Sequence, residues 1–127
     1  MPTNTELEKK KILVIEDNIE SQLIYKVYLR SIYSVEFADT GESGLELLKA
    51  NKYNLLLLDI NLPGQLNGED VLKAIRNNLK IPDFPVIVIT AYALKGDKEK
   101  FLQQGANNYL AKPVDKKVLL DEIAKII

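Results

Sequence analysis

Four consecutive leucines, Leu55 to Leu58, run directly into Asp59 and the loop Ile60-Asn61-Leu62-Pro63-Gly64. A continuous apolar run of strand length has no solvent side, so it belongs inside a sheet covered on both faces, as parallel sheets are. This strand delivers a carboxylate to its own end. Two further runs finish alike: Ile12 to Ile15 hands over to Glu16-Asp17, and Val86 to Ile89 hands over to Thr90. Three strand ends therefore gather acidic and polar groups at one edge.

Between the apolar runs lie stretches of helical period, the alternation that specifies βαβ units. Asn18 is placed to cap a first helix, with Leu23, Ile24, Val27, Tyr28 and Ser31 as the stripe expected to face the sheet. Val35 to Ala38 reads as a short edge strand. Thr40 opens a second helix carrying Leu45, Leu47 and Leu48. Asn67-Gly68-Glu69-Asp70 starts a third, with Val71, Leu72 and Ile75 inward, and Pro82 to Pro85 punctuates before the fourth strand. A fourth helix runs through Phe101 and Leu102 to Gly105, Tyr109 to Ala111 is the fifth strand, and Asp115 caps a last helix holding Val118, Leu119, Ile123 and Ile126. Five strands and five helices alternate in a doubly wound α/β fold. In such sheets ligands bind beyond the carboxyl ends of the strands, where strand order reverses, so Asp17 and Asp59 are expected to be neighbours.

At 127 residues the chain has room for one domain, with residues 1 to 11 a polar, disordered lead-in and 12 to 127 the folded unit. The lead-in lacks the apolar core of a secretory signal, and no apolar stretch reaches the roughly 18 residues of a membrane span. A cytoplasmic protein without membrane contact is expected. Basic and acidic residues number 17 and 18 and are interspersed, so no basic stripe marks a nucleic-acid surface. Cysteine and histidine are both absent. That excludes disulfides, thiolate nucleophiles, Ser-His pairs and imidazole bases, leaving carboxylates, lysine and hydroxyls for chemistry.

Glu16, Asp17 and Asp59 held together repel one another unless cations compensate. A divalent cation and Lys112 would do so. Oxygen ligands select hard ions, and Mg2+ takes one or two carboxylates while keeping positions for water and phosphate oxygens. Phosphoryl transfer depends on alignment and on stabilising the charge of the equatorial oxygens. Asp59 offers the attacking oxygen, Asp17 and Asp59 the metal ligands, Lys112 a positive charge, and Thr90 with adjoining backbone N–H groups the hydrogen bonds.

Ile-Glu-Asp after strand one, Leu-Leu-Asp-Ile-Asn-Leu-Pro after strand three, Thr-Ala after strand four and Lys-Pro after strand five resemble the receiver domain of two-component response regulators. The resemblance spans residues 12 to 127, and Thr90 to Asp97, continued through Gly105 to Lys112-Pro113, is similar to single-domain regulators and hybrid-kinase receivers. It implies a flavodoxin-like (βα)5 three-layer sandwich with strand order 2-1-3-4-5. It implies that Asp59 accepts a phosphoryl group from a phosphohistidine on a sensor histidine kinase or histidine phosphotransfer protein. It also implies Mg2+ held by Glu16, Asp17, Asp59 and the Asn61 carbonyl; phosphate contacts from Thr90, Ala91 and Lys112; a Thr90–Tyr109 switch; and a cis Lys112–Pro113 bond. On this reading the chain promotes its own phosphorylation and dephosphorylation without being a turnover enzyme, and its output passes to a protein target by contact, the chain ending too soon for an effector domain. Two features depart from the common pattern: a loop one residue longer between Pro63 and Gly68, and Tyr92 beside the site's mouth.

The competing readings are weaker. An aspartyl phosphatase or mutase needs a second aspartate two residues on, where Asn61 stands. A nucleotide-binding module needs a glycine-rich turn after strand one, which is missing. An unphosphorylated docking module has no need of intact acids. Tyr25, Tyr28 and Tyr33 read as packing or surface residues.

Overall fold

A computed structural model describes residues 9–77, 81, 83–91 and 93–127. In chain order the elements are β1 (Lys11–Ile15), α1 (Ile19–Leu29), β2 (Ser34–Ala38), α2 (Gly41–Ala50), β3 (Leu55–Asp59), α3 (Gly68–Asn77), β4 (Val86–Thr90), α4 (Asp97–Gln103), β5 (Asn108–Ala111) and α5 (Lys116–Ile126). The strands form one parallel sheet in the order β2-β1-β3-β4-β5, as expected. Strand β1 begins at Lys11, one residue before the expected boundary, and the Lys9 ammonium donates to the Arg30 carbonyl at 3.2 Å. Most of the lead-in, together with Pro82 and Tyr92, lies outside the described residues.

Alternation along the central strands divides the core in two. Ile12, Val14, Leu55, Leu57, Ile87 and Ile89 face Tyr25 and Leu29 of α1 and Leu119 and Ile123 of α5. Leu13, Ile15, Leu56, Leu58, Val86 and Val88 face the other way, onto Leu45 and Leu48, Val71, Leu72 and Ile75, and Phe101. Strand β3 is buried along its whole length, as its unbroken leucine run requires. The helix starts follow local chemistry. Asn18 Oδ1 accepts from the Ser21 N–H at 2.8 Å, Thr40 and Ser43 form a reciprocal capping box, and the Asp115 carboxylate accepts from Lys117 N–H at 3.0 Å.

One helix is turned differently from expectation. In α1 the residues that enter the core are Tyr25 and Leu29, whereas Leu23, Ile24 and Val27 are 58%, 47% and 51% exposed. Apolar side chains occur nearly all round this helix, so periodicity alone offers two stripes; packing selects the one whose aromatic ring fills the space above β1 and β3. Similarly Val118 is exposed on α5, and only Leu119 and Ile123 are fully buried there.

Candidate functional site

Parallel pairing aligns the strand ends and with them the reactive groups. Ile15 pairs with Leu58, Asp59 with Ile89, and Thr90 with Ala111. Glu16 directly follows β1, Asp59 and Thr90 are the last residues of β3 and β4, and Lys112 directly follows β5. Glu16 is 1% and Asp59 8% exposed, while Asp17 is open to solvent. Carboxylate oxygens from Glu16, Asp17 and Asp59 all lie within 4.8 Å of one another. The Lys112 ammonium donates a short hydrogen bond to Glu16 Oε1 and stands 3.7 Å from Asp59 Oδ2. The Lys112–Pro113 peptide is cis.

Repulsion and burial act unequally on the two buried acids. Burial pushes the Asp59 carboxyl up to about 7, with the hydrogen bond and negative charge of Glu16 adding to it against Lys112. Burial also pushes Glu16 upward, but hydrogen bonds from Asp59 and from Lys112 outweigh it and hold Glu16 below the usual carboxylate range. Crowding therefore raises Asp59 alone, while Glu16 is compensated by the hydrogen bond from Asp59 and by Lys112. Of the pair, Asp59 is the acid that holds a proton more tightly.

Glu16 Oε2 is buried without a conventional hydrogen-bond donor among the described residues. A proton shared with Asp59, or a cation, satisfies it. That unpartnered oxygen, within reach of two more carboxylates in an all-oxygen donor set, fits a hard divalent cation. Glu16, Asp17 and Asp59 would hold it.

Thr90 is buried, and its Oγ1 accepts from Asn61 Nδ2 at 3.3 Å. The Asn61 N–H donates to Asp59 Oδ1, also at 3.3 Å, so this loop residue touches both strand ends. Ala91 lies exposed beside them and lines, with Lys112 and Pro113, a groove of about 350 Å3 whose other wall is Ser21, Ile24, Tyr25 and Tyr28. Tyr109 is buried and stacked on Phe101, ring centroids 5.8 Å apart and planes at 12°.

Two contributors were not legible in the sequence. Tyr25, read as packing or surface, adjoins the acids: burial raises its hydroxyl's pKa, and the charges of Glu16 and Asp59 raise it further. Gln22 links the carbonyl of Glu16 to the Asp39 carboxylate, to which its side-chain amide donates at 2.8 Å. The only sequence signal for either was its place in the helix that follows the first acidic pair, eight and five residues beyond Asp17 respectively.

Fold and site together define a doubly wound α/β module with a cluster of carboxylates at its switch point. The family model described as response regulator receiver domain matches residues 12–124. The chain is 33% identical to hybrid signal transduction histidine kinase I of Dictyostelium discoideum over 95% of its length, and spans 7% of that protein. It is 32% identical to the polar-differentiation response regulator DivK of Brucella anthropi, covering 83% of the chain and 85% of DivK. Among solved structures, the receiver domain of a sensor histidine kinase from Pseudomonas aeruginosa PAO1, with magnesium coordinated in its active-site cleft, matches at 34% identity and a TM-score of 0.81 over 93% of this chain and 97% of that one. The chain belongs to the response regulator receiver domain family of two-component signalling. No helix among the described residues is long and apolar enough to cross a membrane.

Proposed function

We propose that Asp59 accepts a phosphoryl group from a phosphohistidine carried by a histidine kinase or histidine phosphotransfer protein, in a reaction that needs Mg2+. The observation that carries this reading is the grouping around Asp59: three carboxylates within 4.8 Å, a buried Glu16 oxygen without a conventional donor among the described residues, and a lysine already at hand. Bound Mg2+ would supply positive charge for the acids and the phosphoryl oxygens, with the Asn61 carbonyl as a further ligand. The chain's own groups do the rest. Deprotonated Asp59 attacks phosphorus, the P–N bond breaks, and its electron pair leaves on the donor imidazole. Lys112, already 3.7 Å from Asp59 Oδ2, neutralises the incoming group, and Thr90 and the backbone at Ala91 donate hydrogen bonds to it.

The donor must cover the mouth of the site. The apolar surface bordering that mouth is the outer face of α1, with Ile19, Leu23, Ile24 and Val27, continuing into the groove beside Lys112 and Pro113. This surface fits a helix bearing the phosphohistidine. Thr90 and Tyr109 then act as the switch, carrying the new charge to a protein target by contact. The chain serves as a signalling module in the cytoplasm and turns over no substrate of its own.

Incubation with a small phosphodonor and MgCl2 tests this directly. The expected product carries one phosphoryl group, located on Asp59 by mass spectrometry and absent from Asp59→Asn. Label on another residue, or none from competent donors, overturns the reading. Repeated release of phosphate from varied esters would favour a phosphatase instead.

A further inference from the structure

The loop after Asp59 is closed at its base by the chain itself. The Gly68 N–H donates to the Ile60 carbonyl at 2.9 Å, and a side chain on Gly68 would collide with the backbone of Asp59 and Ile60. Asn67 and Asp70 exchange backbone-to-side-chain hydrogen bonds that start α3 at that point. The tip of the loop is held from a different element. The Leu66 N–H donates to Glu42 Oε1 at 2.9 Å, across to the first turn of α2. Gly64, at φ 89°, curls past the same carboxylate so closely that a β-carbon would stand 2.9 Å from Glu42 Oε2. Gly41 makes room for the approach, since a β-carbon there would stand 3.0 Å from the Leu66 carbonyl oxygen. Glu42 lies outside the acidic cluster, yet it fixes the segment that carries Asn61. Asn61 in turn is bonded both to Asp59 Oδ1 and to Thr90 Oγ1.

We propose that Glu42 is a positioning residue for the site: by pinning the loop at Leu66 it sets the stance of the Asn61 backbone over Asp59, and so the site's affinity for a divalent cation. The physical reason is preorganisation. Without its tether the loop Ile60 to Asn67 samples more conformations, and a cation that must order it on binding is bound more weakly. The inference rests on the reading of Asp59 and Asn61 as metal ligands.

The test compares Glu42→Ala, which removes the acceptor, with Glu42→Gln, which keeps an acceptor oxygen for the Leu66 N–H. Hydrogen exchange at Leu66 in metal-free protein reports the tether, and the shift of the Asn61 amide during a MgCl2 titration reports affinity. Glu42→Ala is expected to expose Leu66 to exchange and weaken Mg2+ binding by about tenfold, the scale seen when a supporting partner of a metal ligand is lost. Glu42→Gln is expected to stay within about twofold of the parent, its neutral bond being weaker than the charge-assisted one. Phosphorylation of Glu42→Ala by a small donor should be slow at low Mg2+ and recover at saturating Mg2+. Faster Leu66 exchange with unchanged Mg2+ affinity overturns the proposal, as does a phosphorylation defect that saturating Mg2+ leaves in place. A parent protein that takes up no Mg2+ overturns the site reading itself and this proposal with it; normal uptake by both parent and Glu42→Ala removes this proposal alone.

Discussion

Two glutamates on this sheet sit beside a lysine, a second oxygen group and a tyrosine, and they are finished differently. Towards the amino ends of the strands, Glu36 receives Lys11 on one carboxylate oxygen at 2.9 Å and the Tyr53 hydroxyl on the other at 2.7 Å. Lys11 also lies over the Tyr53 ring, and its N–H donates to Asn54 Oδ1. Both carboxylate oxygens of Glu36 thus have a donor. At the carboxyl ends, Glu16 receives Lys112 on Oε1, its Oε2 is buried without a conventional donor among the described residues, and the neighbour that can share a proton with it is a second acid. Glu36 is stabilised by what the fold supplies, mainly Lys11 and then Tyr53, which hold it below the usual carboxylate range. Glu16 and Asp59 are crowded acids that share one lysine. The same residue types make a clasp of lysine and tyrosine on a glutamate at one end and a crowded pair of acids at the other, and the difference is that an acid stands where the neutral donor would.

Replacing the two lysines separates these roles most sharply. Lys112→Ala is expected to slow phosphorylation of Asp59 by a small donor by about 10²-fold, the usual loss when one charge-stabilising group is removed. Lys11→Ala should leave that rate unchanged. Equal effects, read as initial rates of label incorporation, would break the comparison.

The α1 surface borders the reactive end alone. Leu23→Glu with Val27→Glu should cut transfer from a phosphohistidine-bearing protein by about tenfold or more while a small donor still works, because the loss falls on protein contact. Since both side chains are exposed, folding stability should stay within about 0.5 kcal/mol for each change. Parallel loss with both donors would show that the surface acts on the chemistry instead.

Titration sets the two ends against each other through stability. Asp59 is raised in the fold to about 7 from an ordinary 3.8, so it binds a proton more tightly folded than unfolded. Its contribution is full below about pH 4 and is lost as pH rises through about 7; the difference is on the order of 2–4 kcal/mol at most. Glu16, lowered, works in the opposite sense only below its ordinary 4.5. Metal-free protein should therefore melt lower at pH 8 than at pH 5, and added Mg2+ should raise the melting temperature more at pH 8. A Mg2+ effect as large at pH 5 would contradict the paired-acid account.

The smallest effect belongs to the completed clasp. Tyr53→Phe removes one donor from a half-exposed glutamate and should cost about 1 kcal/mol in denaturant unfolding, without altering phosphorylation.

Much of this was legible because the information is local. An apolar run of four or five residues bounded by turn residues fits a strand covered on both sides, and where it stops the next residue lies at the sheet edge; this places Glu16, Asp59 and Thr90 at strand ends. Caps such as Asn18, Thr40 and Asp115 work through neighbours two or three residues away. The orientation of α1 was not legible. Leu23 and Val27 make as regular a stripe as Tyr25 and Leu29, and the choice depends on which set fills the volume over β1 and β3.

The sequence by itself determined the alternation of strands and helices and the edge at which the acids collect, because hydrophobic period and capping act within a few residues. Tertiary structure decided that Lys112 rests on Glu16 rather than on Asp59, that Glu42 holds the loop carrying Asn61, and that α1 turns an apolar face outward. Those outcomes depend on distances between groups 24 to 96 residues apart, set by sheet register and by volume, and no local pattern encodes them.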